Sequence, residues 1–134
     1  MTVALDTSAL LALAVEGAQR AVVLAALDGD PVWSASALAL TEALPAIDRL
    51  TDEPLFRLDL EDAVRMAWDH VHVVPVDQRC LDRAAALARE QPVRLTSAIH
   101  LAAAERMLQP VRFVTFDPGQ IGVALGLGLD VVSA

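Results

Sequence analysis

A three-layer α/β/α sandwich around a central, mostly parallel sheet is the fold class that three features of the sequence predict. Short β-rich runs (TVALD, PVWSAS, VHVVPV, VRFVTFD, DVVS) alternate with longer segments of helical periodicity. Two of those runs, TVALD and VRFVTFD, end on an acid. No repeat, linker or low-complexity tract divides the 134 residues, so a single domain spanning 1–134 is expected, long enough to bury a core without disulfides.

The first run delivers Asp6 to the end of a strand, and TSALLALAVEG follows with Leu10, Leu11, Leu13 and Ala14 at helical spacing before Gly17 stops it. AQRAVVLAALDGD reads as a second helix, closed by the turn Asp28-Gly29-Asp30, and PVWSAS as the second strand. Ser34 or Ser36 can cap the helix ALALTEALPAIDRL, which carries Glu42 on a mostly apolar surface and which Pro45 is expected to kink or interrupt. TDEPLFRLDLEDAVRMAWDH is helical and polar on one side. VHVVPV reads as a buried strand, and Asp77 as the cap of DQRCLDRAAALAREQ, a run of good helix formers. VRLTSAIHLAAAERM forms the next helix, with Thr96 or Ser97 as its cap and His100 one turn further. VRFVTFD is a strand ending on Asp117, PGQIGVALGLG a short glycine-loosened helix, and DVVS the last strand.

Composition excludes several classes of function. Apolar residues make up 55%, yet Asp, Glu, Arg, Pro or Gly interrupts every apolar run well short of a bilayer span, so a dense core is expected and no membrane. The first residues lack the basic segment of an export signal, and the single Cys80 forms no internal disulfide and no zinc site; a cytoplasmic location fits both. Ten basic residues, all Arg, against eighteen acidic ones give a net charge of −8, which repels a phosphate backbone, so any nucleic-acid contact has to be local. A phosphatase or response-regulator-like domain also uses acids at strand ends, but the chain has no Lys to bind the phosphate.

In open parallel sheets, ligands bind beyond the carboxyl ends of the strands, where Asp6 and Asp117 are expected. Glu42 sits among Leu40, Ala43 and Leu44, where a carboxylate needs a cation or a donor. Three acids converging on one crevice repel one another unless a divalent ion lies between them; with no Cys or His nearby, Mg²⁺ or Mn²⁺ is favoured over zinc, and the associated chemistry is phosphodiester hydrolysis. Each acid also has a simpler use. Asp6 before Thr7-Ser8 and Asp117 before Pro118 are ordinary helix caps. Ser8 and Thr115, within two residues of those acids, fit either a supporting role for metal-bound water or local capping. His100 between Ile99 and Leu101 is more simply a packed, hydrogen-bonded residue than a base. Arg94 and Arg112 fit phosphate contacts or plain solvation, and Trp33, Trp68 and Phe56 fit core or interface positions.

Together ALDTSALLAL, SASALALTEAL, LTSAIHLAAA and FVTFDPGQIGVALGLGLDVV resemble the PIN-domain ribonucleases, most closely the VapC-type toxins of type II toxin–antitoxin pairs. The resemblance implies a PIN-like fold and a metal-dependent endoribonuclease that cuts RNA, such as tRNA or rRNA, by activated water. Four acids around Mg²⁺ or Mn²⁺ are implied: Asp6, Glu42 and Asp117 match three of them as catalytic and metal-binding residues. Ser97 stands where the third acid belongs, in a pattern that otherwise keeps Ala98-Ile99-His100. A neutral hydroxyl there weakens metal binding, so a degenerate PIN domain that binds RNA or a partner without catalysis is the alternative. The resemblance further implies an antitoxin partner, whose segment sends a basic side chain into the acidic site, and a homodimer.

Overall fold

The computed structural model describes residues 1–29 and 32–133. Among them, five strands form one sheet: β1 (Thr2–Leu5), β2 (Val32–Ser36), β3 (Val71–Val74), β4 (Val111–Val114) and β5 (Asp130–Val132). Every neighbouring pair is parallel, in the order β3-β2-β1-β4-β5. The order reverses at β1, which pairs with β2 on one side and β4 on the other. That reversal opens a crevice at the carboxyl ends of β1 and β4.

Alternation along β1 divides the interior. Val3 and Leu5 pack with α1 (Thr7–Ala12), α2 (Ala18–Leu27), α3 (Ala37–Leu50) and α4 (Pro54–Trp68). Ala4 joins Phe113 and the helices α5 (Gln78–Glu90), α6 (Leu95–Glu105) and α7 (Pro118–Gly126). Successive strand residues face opposite sides, so a strand covered on both faces has to be apolar throughout, as VAL in β1 is. Two cores on either side of one sheet make the expected three layers. Among the described residues no helix is long and apolar enough to cross a membrane.

Several local expectations change. β3 is an edge strand with His72 and Val73 exposed rather than a buried one, because only β2 pairs with it. α3 runs unbroken through Pro45, since losing one backbone donor in a helix of 14 residues leaves the flanking turns bonded. Ser36 occupies the N-cap position of α3 without capping it, and Ser34 donates instead to the carbonyl of Val3 at 3.3 Å. α6 begins at Leu95 with Arg94 at its N-cap, so Thr96 and Ser97 lie inside the first turn and cap nothing. Gly29 at φ 78° turns the chain after α2, a conformation that suits glycine. Asp30 and Pro31, expected in that turn and at the start of the second strand, lie outside the described residues.

Candidate active site

Asp6 follows the last residue of β1, and its backbone N–H still reaches the carbonyl of Val114 at the end of β4, at 3.4 Å. The side chain is 1% exposed and caps α1. Its Oδ1 accepts from the Ala9 N–H at 2.9 Å and the Ser8 hydroxyl at 2.6 Å; its Oδ2 accepts from the Thr115 hydroxyl at 2.6 Å and the Gln120 amide at 3.0 Å. Four donors occupy the four lone-pair directions of the carboxylate, so its burial leaves no acceptor unsatisfied. Cap and site residue are therefore the same side chain.

Asp117 caps α7 through a 3.0 Å bond from the Gly119 N–H to its Oδ1. Its Oδ2 receives the Gln120 amide and the Ser97 hydroxyl, each at 3.4 Å, with an Arg94 guanidinium nitrogen 3.9 Å away. Two hydroxyls stitch this loop to Asp6. Thr115 accepts from the Asp117 N–H at 3.0 Å while donating to Asp6, and Ser8 accepts from the Phe116 N–H at 2.9 Å while donating to Asp6.

Glu42 projects from α3 and is held differently. Its Oε1 accepts from the Thr7 hydroxyl and from His100 Nε2, both at 2.7 Å. His100 is buried and bonds Ser36 Oγ through Nδ1 at 3.1 Å. An ionised carboxylate only accepts, so Nε2 carries the proton and the Ser36 hydroxyl turns to suit Nδ1. The His100 hydrogen bond holds the Glu42 carboxyl below its ordinary range, against the opposing pull of partial burial, and Thr7 adds to the effect.

All three acids line one cavity of about 240 Å³, together with Ser97, Gln120 and Arg94. A PIN domain profile matches residues 3–124. The chain belongs to the PIN domain family. No curated protein gives a significant match. Solved structures share the fold of this PIN domain: a toxin–antitoxin complex from Klebsiella pneumoniae (22% identity, TM-score 0.70, covering 97% of this chain and 95% of that one), VapBC2 from Rickettsia felis bound to a DNA fragment from its promoter (11%, 0.72, 100% and 99%) and FitAcB from Neisseria gonorrhoeae (15%, 0.70, 97% and 96%).

The cavity of the PIN domain brings together the acids and Ser8, while Thr115 lies fully buried behind it and reaches the site only through Asp6 and the Asp117 N–H; not every candidate takes part. Arg112 pairs with Asp130 at 3.4 Å and does not line the cavity. Trp33 and Trp68 are partly buried against the first core, and Phe56 is exposed. Thr7 and Gln120 line the cavity and Ser36 supports it through His100, and the sequence points to none of the three as part of the site. Gln120 three residues after Asp117 has the spacing of a capping box, which was the available signal.

Among the described residues, no three His, Cys, Asp or Glu groups stand close enough to hold a metal ion together. Asp6 and Asp117 nonetheless converge on one amide nitrogen, that of Gln120, whose own Oε1 is buried with no partner among the described residues. Oxygen-only donors of this kind suit Mg²⁺ or Mn²⁺, which keep several waters and need few protein ligands. The donor set fits such an ion with Asp6 and Asp117 as its carboxylates and Ser97 within reach.

Proposed function

We propose that this PIN domain is a VapC-type toxin: a Mg²⁺- or Mn²⁺-dependent endoribonuclease acting on RNA such as tRNA or rRNA. The observation that carries the reading is the convergence of Asp6 Oδ2 and Asp117 Oδ2 on one point of a crevice at the sheet's switch point, with Glu42 lining the same cavity. A divalent ion held there supplies a nucleophilic water at neutral pH and offsets charge on the attacked phosphate. Asp6 and Asp117 hold that ion in this reading. Ser8 and Thr115 keep Asp6 in place, Glu42 is steadied by Thr7 and His100 to orient water, and Arg94 at the rim receives a phosphate of the RNA.

Toxin–antitoxin complexes among the structural neighbours support an antitoxin partner. Exposed Leu55, Phe56 and Leu58 on α4 and a cavity of about 580 Å³ between α3 and α4 are the apolar surface on which it docks. A cytoplasmic homodimer completes the reading. Purified chain, freed of any antitoxin, is expected to cut tRNA or rRNA when Mn²⁺ or Mg²⁺ is supplied, and Asp6→Asn to lower the rate by about 100-fold or more. No cleavage with any divalent ion overturns the proposal.

Ser97 favours a second reading, a PIN domain that binds without turnover, because its neutral hydroxyl stands 3.4 Å from Asp117 where the resemblance implies a carboxylate. Ser97→Asp separates the two. A large gain in cleavage from a wild-type level near zero supports the degenerate domain, and an active wild type that gains little supports the enzyme.

A further inference from the structure

We propose that Gln120 is a turn-over ligand of the cation site: its amide donates to the two acids when the site is empty and presents its oxygen when an ion is bound. The inference rests on the metal-dependent reading above and names a residue which that reading does not use. Gln120 is 3% exposed, in the first turn of α7, with Nε2 at 3.0 Å from Asp6 Oδ2 and 3.4 Å from Asp117 Oδ2. Its Oε1 is buried and has no hydrogen-bond partner among the described residues. Such an atom is rare in folded proteins and asks for an explanation.

The two halves of a primary amide are nearly the same size, so half a turn about the last side-chain bond exchanges donor and acceptor without repacking. Two carboxylates select the NH₂ side in the empty site, at the expense of an unsatisfied oxygen. A cation bonded to the same carboxylates reverses the selection, repelling N–H and attracting C=O.

The distance is compatible with a ligand position. An ion bonded to a carboxylate lies about 2.1 Å from its oxygen, whereas neighbouring oxygens around an octahedral ion lie about 3 Å apart. The Gln120 amide stands at 3.0 Å from Asp6 Oδ2, an ordinary hydrogen-bond length that equally matches the spacing of neighbouring ligands. The need is present as well. Ser97 contributes a neutral hydroxyl, so an ion between Asp6 and Asp117 has two charged ligands and room for another protein oxygen.

Mn²⁺ titration followed by the electron paramagnetic resonance of the free ion tests this on the purified chain, with thermal melts in EDTA to check folding. Gln120→Leu, which keeps the bulk and removes both amide atoms, is expected to weaken Mn²⁺ binding by about tenfold or more. Gln120→Glu is expected to bind Mn²⁺ at least as tightly as the wild type, while melting lower in EDTA because a third carboxylate then faces Asp6 and Asp117. Wild-type affinity in a folded Gln120→Leu overturns the inference and leaves the nuclease reading intact. If that variant does not fold, Gln120→Glu decides, and weaker binding than the wild type overturns the inference. Absence of Mn²⁺ binding by the wild type at millimolar concentrations overturns both.

Discussion

Glu42 shows how one side chain reconciles an acid with an apolar helix face. Its two donors, Thr7 and His100, both meet Oε1, and among the described residues no donor reaches Oε2. Because the folded chain holds Glu42 ionised more firmly than the unfolded chain does, its contribution to stability is fully present above the ordinary value of 4.5 and is lost as pH falls through the lower folded value. The melting temperature in EDTA is therefore expected to drop as pH falls below about 5, and to drop less steeply in Glu42→Gln. Equal slopes for the two proteins exclude Glu42 as a source of the acid sensitivity. Asp6 and Asp117 were legible because a β-rich run followed by an acid places that acid beyond a strand's end. The partners of Glu42 and His100 were not. Thr7 lies 35 residues from Glu42 and Ser36 lies 64 from His100, and such meetings depend on which strands become neighbours, something no local pattern encodes. Only the capping expectation for Ser97 fails, and for a local reason: two residues of helix at Leu95 and Thr96 precede it, so its hydroxyl lines the cavity instead.

At the scale of the element, α6 is the one that organises the cavity. Residues Ser97 to Ala104 are all buried, because α5 covers one side of the helix and the sheet, α3 and α7 cover the rest. A helix enclosed this way needs small side chains, and Ala98, Ala102, Ala103 and Ala104 let its neighbours approach while Ser97 and His100 turn their polar atoms toward the acids. Ala102 is 0% exposed, so Ala102→Leu is expected to overpack the helix and destabilise by about 1–3 kcal/mol, lowering the melting temperature by several degrees. An unchanged melt, followed by circular dichroism, contradicts the close packing of α6. Alternating strand and helix signals made the layers readable in advance, and the span of α3 is the one its periodicity predicts. Position within the sheet was not readable in the same way. VHVV has the composition of a buried strand, and only the order of strands makes it an edge with Val73 exposed. Pro45 was expected to disturb α3 because propensity counts its missing donor and leaves out the packing of Ala43 and Ile47, both buried, that holds the helix on either side.

Across the whole molecule the difficulty is charge. Under the nuclease reading proposed above, a net charge of −8 faces a polyanionic substrate, and Arg94, with 82% of its side chain exposed, is the one cation lining the acidic cavity among the described residues. Nucleases that approach RNA through a basic surface lose affinity steeply as salt rises, by about 10³-fold or more between 50 and 200 mM when six or more phosphates are contacted. Here the long-range term has the opposite sign. Added salt screens repulsion between the chain and RNA over the same range in which it weakens a single Arg94–phosphate contact, and the Debye length falls from about 30 Å at 0.01 M to about 10 Å at 0.1 M. At constant Mn²⁺, kcat/KM for an RNA substrate is therefore expected to stay level or rise as NaCl goes from about 0.01 to 0.1 M. Arg94→Ala is expected to lower kcat/KM throughout while letting it rise more clearly, since the attractive contact that salt weakens is then gone. A steep decline in the wild type that Arg94→Ala does not relieve contradicts this account, because the RNA would then be held by a basic surface elsewhere on the chain or on a partner.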